Sequence, residues 1–307
     1  MDRWPHIVYA QWKDTLQTLH LWTQIVGKIR LRLAPFANHS WNSALYVTPR
    51  GLTTSAMPYR DGRMLEIRFD FVSHALEIDD CDGARRTFAL APMSVAAFYE
   101  RVMRELRALG YEIRIDGKPN EVAQATPFAQ DTAHASYDAA YVERFRYALL
   151  ASDRLCNVFR SGFYGKVSPV HFFWGSFDLA FTRFSGRRAP EHPGGFPNMP
   201  DRITREAYSR EEHSVGFWPG GAGSEAIFYA YAYPEPPDFP RAPVKPAAAS
   251  WYPALREFVL PYEDVRTSDD PDRAVLEFFS STYDAAATLS KWDRALLERE
   301  PSDSLTV

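Results

Sequence analysis

The sequence predicts an α+β fold, with antiparallel sheets carrying packed helices and an α-β-β-β-α unit used twice. Three observations predict it. Residues 64–71 alternate, with Leu65, Ile67, Phe69 and Phe71 facing one way and Glu66, Arg68 and Asp70 the other, the pattern of an antiparallel strand with one wet face. Long stretches with apolar residues at three- and four-residue steps flank such strands. Finally, two stretches echo each other, GKIRLRLAPFANHSWNSALYVTPRG from Gly27 and GKVSPVHFFWGSFDLAFTRFSGR from Gly165. Each has Gly-Lys, then Pro and His, then Trp-x-Ser opening a strand. An Arg sits seven residues after the Ser, as in Ser43 to Arg50 and Ser176 to Arg183.

Taken in order, residues 12–28 read as a helix through Trp12, Leu16, Leu19, Trp22 and Val26, with Gly27 as C-cap. His20, Gln24 and Lys28 form a second stripe along it, either a solvated face or the wall of a cavity. Residues 41–47 alternate as a strand. Residues 75–78 and 86–90 make a hairpin around Asp79-Asp80-Cys81-Asp82-Gly83. Pro92 and Ser94 introduce a helix over 95–109, and 111–115 reads as a short strand.

Residues 118–136 lose all periodicity and read as a linker between a first repeat, 1–117, and a second, 137–307, that carries Pro/Gly-rich insertions. The whole is expected to form one compact unit. In the second repeat, 137–163 reads as a helix and 171–184 as the organising strand. The long Pro- and Gly-rich stretch 187–208 suits a lid or binding loop. Strands over 213–218 and 225–233 enclose Pro219-Gly220-Gly221-Ala222-Gly223-Ser224. A Pro-rich wrap covers 234–253, a last helix 273–298, and the tail beyond Pro301 is expected to fray.

With 307 residues, 46% of them hydrophobic and 15% aromatic, the chain can bury a substantial core. Its formal net charge of -4 comes with acids and bases intermixed. No basic stripe is present, which argues against nucleic acid as a partner. No apolar run approaches the roughly 18 residues that span a bilayer. The N-terminus lacks a signal-peptide core, so a cytoplasmic protein with no membrane partner is expected. Cys81 and Cys156 make neither a disulfide framework nor a zinc set. The spacing offers no HExxH, nucleophile elbow, P-loop or dinucleotide fingerprint. No cofactor and no metal are therefore expected, and the oligomeric state is not legible.

The chemistry concentrates on the organising strand. There Trp174, Ser176, Asp178, Ala180 and Thr182 share one face, opposite Phe177, Leu179 and Phe181. A carboxylate in an apolar strand is costly unless it is paired. Asp178 therefore reads as a structural pair, a general base or an anchor for a substrate amine. Pairing Trp218 with Glu225 puts Ser214, Gly216, Trp218, Glu225, Ile227, Tyr229 and Tyr231 on one face, an aromatic wall with polar tips. The candidate acid/base groups are Asp178, His171 and Glu225. Candidate binding groups are Trp174, Ser176, Thr182, Trp218, Tyr229, Tyr231, His20, Gln24, Lys28 and His39. Arg183 and Arg187 read as an anion clamp or as solvated charges.

The run TLHLWTQIVGK from Thr18, the run HFFWGSFDLA from His171 with TRFSGR from Thr182, and GFWPG from Gly216 resemble a bacterial family known only as a domain of unknown function. The resemblance covers nearly the whole chain. It implies one unit rather than a fusion and brings no catalytic residues with it. Two functions stay open. One is an enzyme or binding protein for a small polar, possibly anionic molecule. The other is a non-catalytic interaction module that uses the Pro-rich segment.

Overall fold

The computed structural model describes residues 2–299; the tail beyond Pro301 lies outside the described residues. The first half runs α1 (Tyr9–Leu33), β1 (Tyr46–Thr48), β2 (Gly51–Thr53), β3 (Met57–Pro58), β4 (Met64–Asp70), β5 (Ala75–Asp80), β6 (Arg85–Ala89) and α2 (Val95–Ala108). The second half runs α3 (Ala139–Ser161), β7 (His171–Phe173), β8 (Asp178–Arg188), α4 (Asp201–Ala207), β9 (Arg210–Trp218), β10 (Ile227–Tyr233), β11 (Ser250–Tyr252), β12 (Glu257–Pro261), α5 (Tyr262–Arg266), α6 (Pro271–Leu289) and α7 (Arg294–Leu297). This is an α+β fold with two antiparallel sheets. The first is ordered β1-β2-β4-β5-β6, with β3 beside β4; the second is ordered β11-β12-β10-β9-β8-β7. The sheets meet edge to edge where Leu45 and Phe172 exchange backbone hydrogen bonds of 2.9 and 2.8 Å.

The alternation read from β4 is real: Leu65, Ile67 and Phe69 are buried between half-buried Glu66 and Arg68. Phe69 and Phe88 meet Phe98 of α2, which stacks on Trp22 of α1 at 4.6 Å. Asp70 departs from the wet face. It is buried, accepting from Arg50 Nε at 2.6 Å and from the amides of Val72 and Ser73, so it shapes the turn into β5. Ser94 and Asp138 cap α2 and α3 with their side-chain oxygens. In the second sheet, Phe181 meets Phe159 of α3 and Phe228 meets Phe279 of α6. One face of that sheet is therefore sealed by helices.

Several expectations are corrected. Gly27 does not end α1, which continues to Leu33. The glycine is there because the Trp174 indole packs on it: a Cβ would lie 2.2 Å from Trp174 Cδ1. Residues 38–43 form a 3-10 turn, not the start of a strand. Residues 171–184 are not one strand but the hairpin β7–β8. Trp174 to Phe177 form its turn, with Phe177 at a φ of 62° and its amide donating to Phe173 O. The two Trp-x-Ser runs thus sit in different places, one before β1 and one between β7 and β8. Residues 111–115 find no strand partner. The last helix breaks after Leu289, where Lys291 takes a φ of 54° and lets Trp292 fold back onto Tyr283. The Pro-rich wrap runs on into two unforeseen strands, β11 and β12.

A mid-helix glycine replaced by alanine ordinarily gains about 1 kcal/mol. Gly27→Ala should reverse that sign, since overpacking costs about 1–3 kcal/mol. Thermal melting followed by circular dichroism checks it; a rise in melting temperature would contradict the close packing of Trp174.

Candidate functional site

The second sheet's other face is polar, and it is also covered. Register fixes its members. Ala180 stands between His171 on β7 and Gly216 on β9, Thr182 opposite Ser214, and Phe184 opposite Glu212. On β10, Tyr229 lies opposite Gly216, Tyr231 opposite Ser214 and Tyr233 opposite Glu212. Trp218 pairs with Ile227 rather than Glu225. The shift is two residues, so the predicted face assignment survives.

Asp178 is buried, 8% exposed. Its two carboxylate oxygens accept from the hydroxyls of Ser176 and Tyr229. Tyr229 reaches it by lying over Gly216, where a Cβ would come within 2.3 Å of both the Tyr229 hydroxyl oxygen and Leu179 O. Burial pushes the Asp178 carboxyl up, against those two hydrogen bonds. Three further carboxylates share the face. Burial and the nearby Asp178 push Glu121 up to about 7 and Glu257 up to about 8. Glu212 is 5% exposed, and burial pushes it well above the usual range. Among the described residues its carboxylate makes no hydrogen bond or ion pair; Lys166 is the nearby opposing charge. Between these acids, Tyr208 donates to Tyr231 at 3.2 Å and Thr182 lies 3.0 Å from Ser214, oxygen to oxygen.

The cover consists of two loops. Residues 118–122 are held by Gln24, whose amide pairs with both backbone groups of Asn120 at 2.8 and 2.9 Å. His20 Nε2–H donates to Gly175 O at 2.8 Å, and burial pulls this histidine down to about 4. Lys28 reaches Asp116 at 3.6 Å. Of the predicted stripe, Gln24 therefore holds the segment read as a linker, and that segment presents Glu121 directly over Gly175. The second loop, 189–208 with α4, is tied to the first: Glu121 N–H donates to Pro197 O, and Asn198 Nδ2 to Val122 O. His39 holds its far end, donating its backbone N–H to Glu206 Oε1 at 3.1 Å and its Nδ1–H to Ala207 O at 2.7 Å. Tyr233 bonds Pro190 O, and His192 stacks on Tyr208 at 4.6 Å.

The other predicted site residues fall as follows. His171 is 1% exposed, with Nε2 unpartnered among Trp41, Tyr46 and Phe173, and burial pulls it down to about 3. Trp174 donates to Ser43 O at 2.7 Å, and Trp218 to Ser176 O at 3.2 Å. Glu225 is not on this face. It accepts from Tyr9 N–H at 2.8 Å and so places a negative charge at the N-terminus of α1. Arg183 and Arg187 do not converge. Arg183 is on the helix side, 3.6 Å over Phe159 and bonded to Phe159 O, and burial pulls it down to about 10. Arg187 pairs with Glu211 and with the carbonyls of Ser290 and Lys291 at the end of α6.

Sequence reasoning missed Glu121, Glu212, Glu257, Tyr208 and the covering role of 118–122. Glu212 was within reach, since extending the β9 alternation by one step from Ser214 puts it on the polar face. Glu121 carried no signal, because an aperiodic stretch has no face.

These charges set a pH dependence. Above about pH 7 the buried histidines are mostly neutral whether the chain is folded or not. Glu121 and Glu257 are fully ionised in the unfolded chain there but titrate near 7 and 8 in the folded one. The folded protein holds more protons, so stability falls as pH rises through that range. Melting temperatures from about pH 7 to 8.5 should decline, and Glu121→Gln and Glu257→Gln should each flatten the decline. An unchanged slope in both variants would contradict the burial of these acids.

A separate surface groove of about 680 Å³ lies between α2 and residues 113–115, away from these groups. No helix among the described residues is long and apolar enough to cross a membrane. No curated protein matches the chain, and no solved structure does. A family model of unknown function matches residues 4–299. The fold and the covered polar face described above thus belong to almost the full length of that match, and the chain is a member of the DUF5996 family.

Proposed function

We propose that this chain binds a small polar molecule carrying an amine against the polar face of the second sheet, with Asp178 as anchor. The observation that carries the reading is the state of Glu212. A carboxyl group this buried and without a hydrogen-bond partner is driven towards its neutral form at a cost in stability that a ligand's donor can offset. Asp178, Glu121 and Glu257, pushed towards their neutral forms by burial, would ionise against an ammonium group on the same face, and the rings of Tyr208, Tyr229 and Tyr231 suit that group or its methylenes. An anionic ligand is less well served, since Arg183 and Arg187 are both engaged elsewhere.

The donor set favours an organic ligand over a metal ion. Among the described residues, the trio close enough to share one ion is Asp80, Cys81 and Asp82, at the β5–β6 turn. Asp80 there is already engaged by Arg63 and Tyr111. If the site is catalytic, Glu121 and Glu257 are its acid/base pair, because groups that titrate near neutrality both give and take protons at working pH. The Pro-rich segment supports the interaction-module reading less well, since its Phe239 is turned inward onto Trp251 and Phe258.

Asp178→Asn keeps the shape of the side chain and removes its charge. Native mass spectrometry of the purified protein should find a small molecule retained by the wild type and lost from this variant, with stability lowered by about 1–3 kcal/mol because one of the Ser176 and Tyr229 hydroxyls loses its acceptor. A large fall in stability with no ligand in either protein would make Asp178 a structural strut and sink the proposal.

A further inference from the structure

We infer that Lys166 is a nucleophilic amine, poised by His39 to condense with a carbonyl compound. The inference rests on the hydrogen-bond geometry at the far end of the same face and does not depend on the ligand proposed for Asp178. His39 Nδ1 lies 2.7 Å from Ala207 O, an acceptor only, so Nδ1 carries the proton. Nε2 is therefore a bare lone pair, and it lies 2.7 Å from Lys166 Nζ. The lysine thus donates to a base.

The surroundings reinforce this. Lys166 Nζ sits 5.3 Å from the Trp41 ring centre and 5.1 Å from that of Phe184. Among the described residues no carboxylate reaches it at ion-pair distance, whereas Lys28 has Asp116. The charged groups around it are Glu206, Glu212 and Arg210. Glu212 is held towards its neutral form, so it does not fix the ammonium. Desolvation pulls Lys166 below the ordinary lysine range and Arg210 acts in the same direction, together outweighing the opposite pull of Glu206 and Glu212. His39 is itself pulled down by burial, so it stays neutral and able to accept a proton.

The chemistry balances without a redox partner. His39 Nε2 takes one proton from the ammonium, and the freed lone pair forms a C–N bond to the carbonyl carbon. The nitrogen passes a proton to the former carbonyl oxygen. His39 returns its proton to that hydroxyl, which leaves as water. Ammonium plus aldehyde gives a protonated imine plus water, and His39 ends as it began. The rings of Trp41 and Phe184 favour an aromatic carbonyl compound.

The test ranks the six lysines of the chain, Lys13, Lys28, Lys118, Lys166, Lys245 and Lys291, against one another. The intact protein is treated at pH 7 with limiting 4-formylbenzoate and cyanoborohydride, and modified peptides are counted by mass spectrometry. Lys166 should be labelled about tenfold faster than any other lysine, as expected for an amine held partly in its free-base form beside a base. His39→Asn should bring it down to the level of the rest. Labelling of Lys166 at the common rate in the wild type overturns the inference, and that arm needs no variant to fold. Preferential labelling that survives His39→Asn overturns the role of His39.

Discussion

Taking the Asp178 carboxylate out of water constrains much of the second half of the chain. A buried carboxylate must be met by donors or be neutralised. Here the donors are Ser176, from a turn that needs Phe177 in the left-handed region, and Tyr229, from a strand two places away. Tyr229 can cross only because β9 carries Gly216 at that point. One side chain thus links a turn, three adjacent strands and a glycine. The helix-facing side of the same strands is packed with phenylalanines, so the sheet has no freedom to slip by one residue and exchange its faces.

A polar face under cover is an unusual thing to hold together, and the protein uses side chains from the first half to do it. On α1, Gln24 holds the loop carrying Glu121 and His20 holds the β7–β8 turn beneath it, while His39 holds the loop carrying α4 and Tyr208. The two loops also bond each other through Asn120 and Asn198. Opening either loop would break a few hydrogen bonds and expose little apolar surface, whereas opening the helix side would expose the aromatic core. The cover is therefore the low-stability part of this half, where access to a ligand is expected.

Much of this was legible in the sequence, and the reasons are local. The alternation of β4, the faces of β8, β9 and β10, and the helix start at Ser94 follow from period and chemistry that act over a few residues. The parity of the β9–β10 hairpin survived a wrong partner because the error was an even number of residues. What failed was long-range. Gly27 looked like a helix end because nothing local says that Trp174 packs on it. Glu225 looked like a site residue until its strand was seen to begin at Ile227. Arg183 sits among polar residues in sequence, yet strand alternation turns it into the helices. Glu121 and Glu257 lie in stretches whose shape is set by what they pack against, not by their own pattern.

Acids are kept on this face at the expense of stability. Glu212→Met tests this most directly, since it replaces the unpartnered carboxylate with an apolar side chain of similar size. Thermal unfolding at pH 8 should show a melting temperature above that of the wild type, because a buried acid without a partner is removed. A fall equivalent to about 1–3 kcal/mol, the cost of breaking a buried hydrogen bond, would mean that Glu212 is a structural partner and that the face is not held open for a ligand.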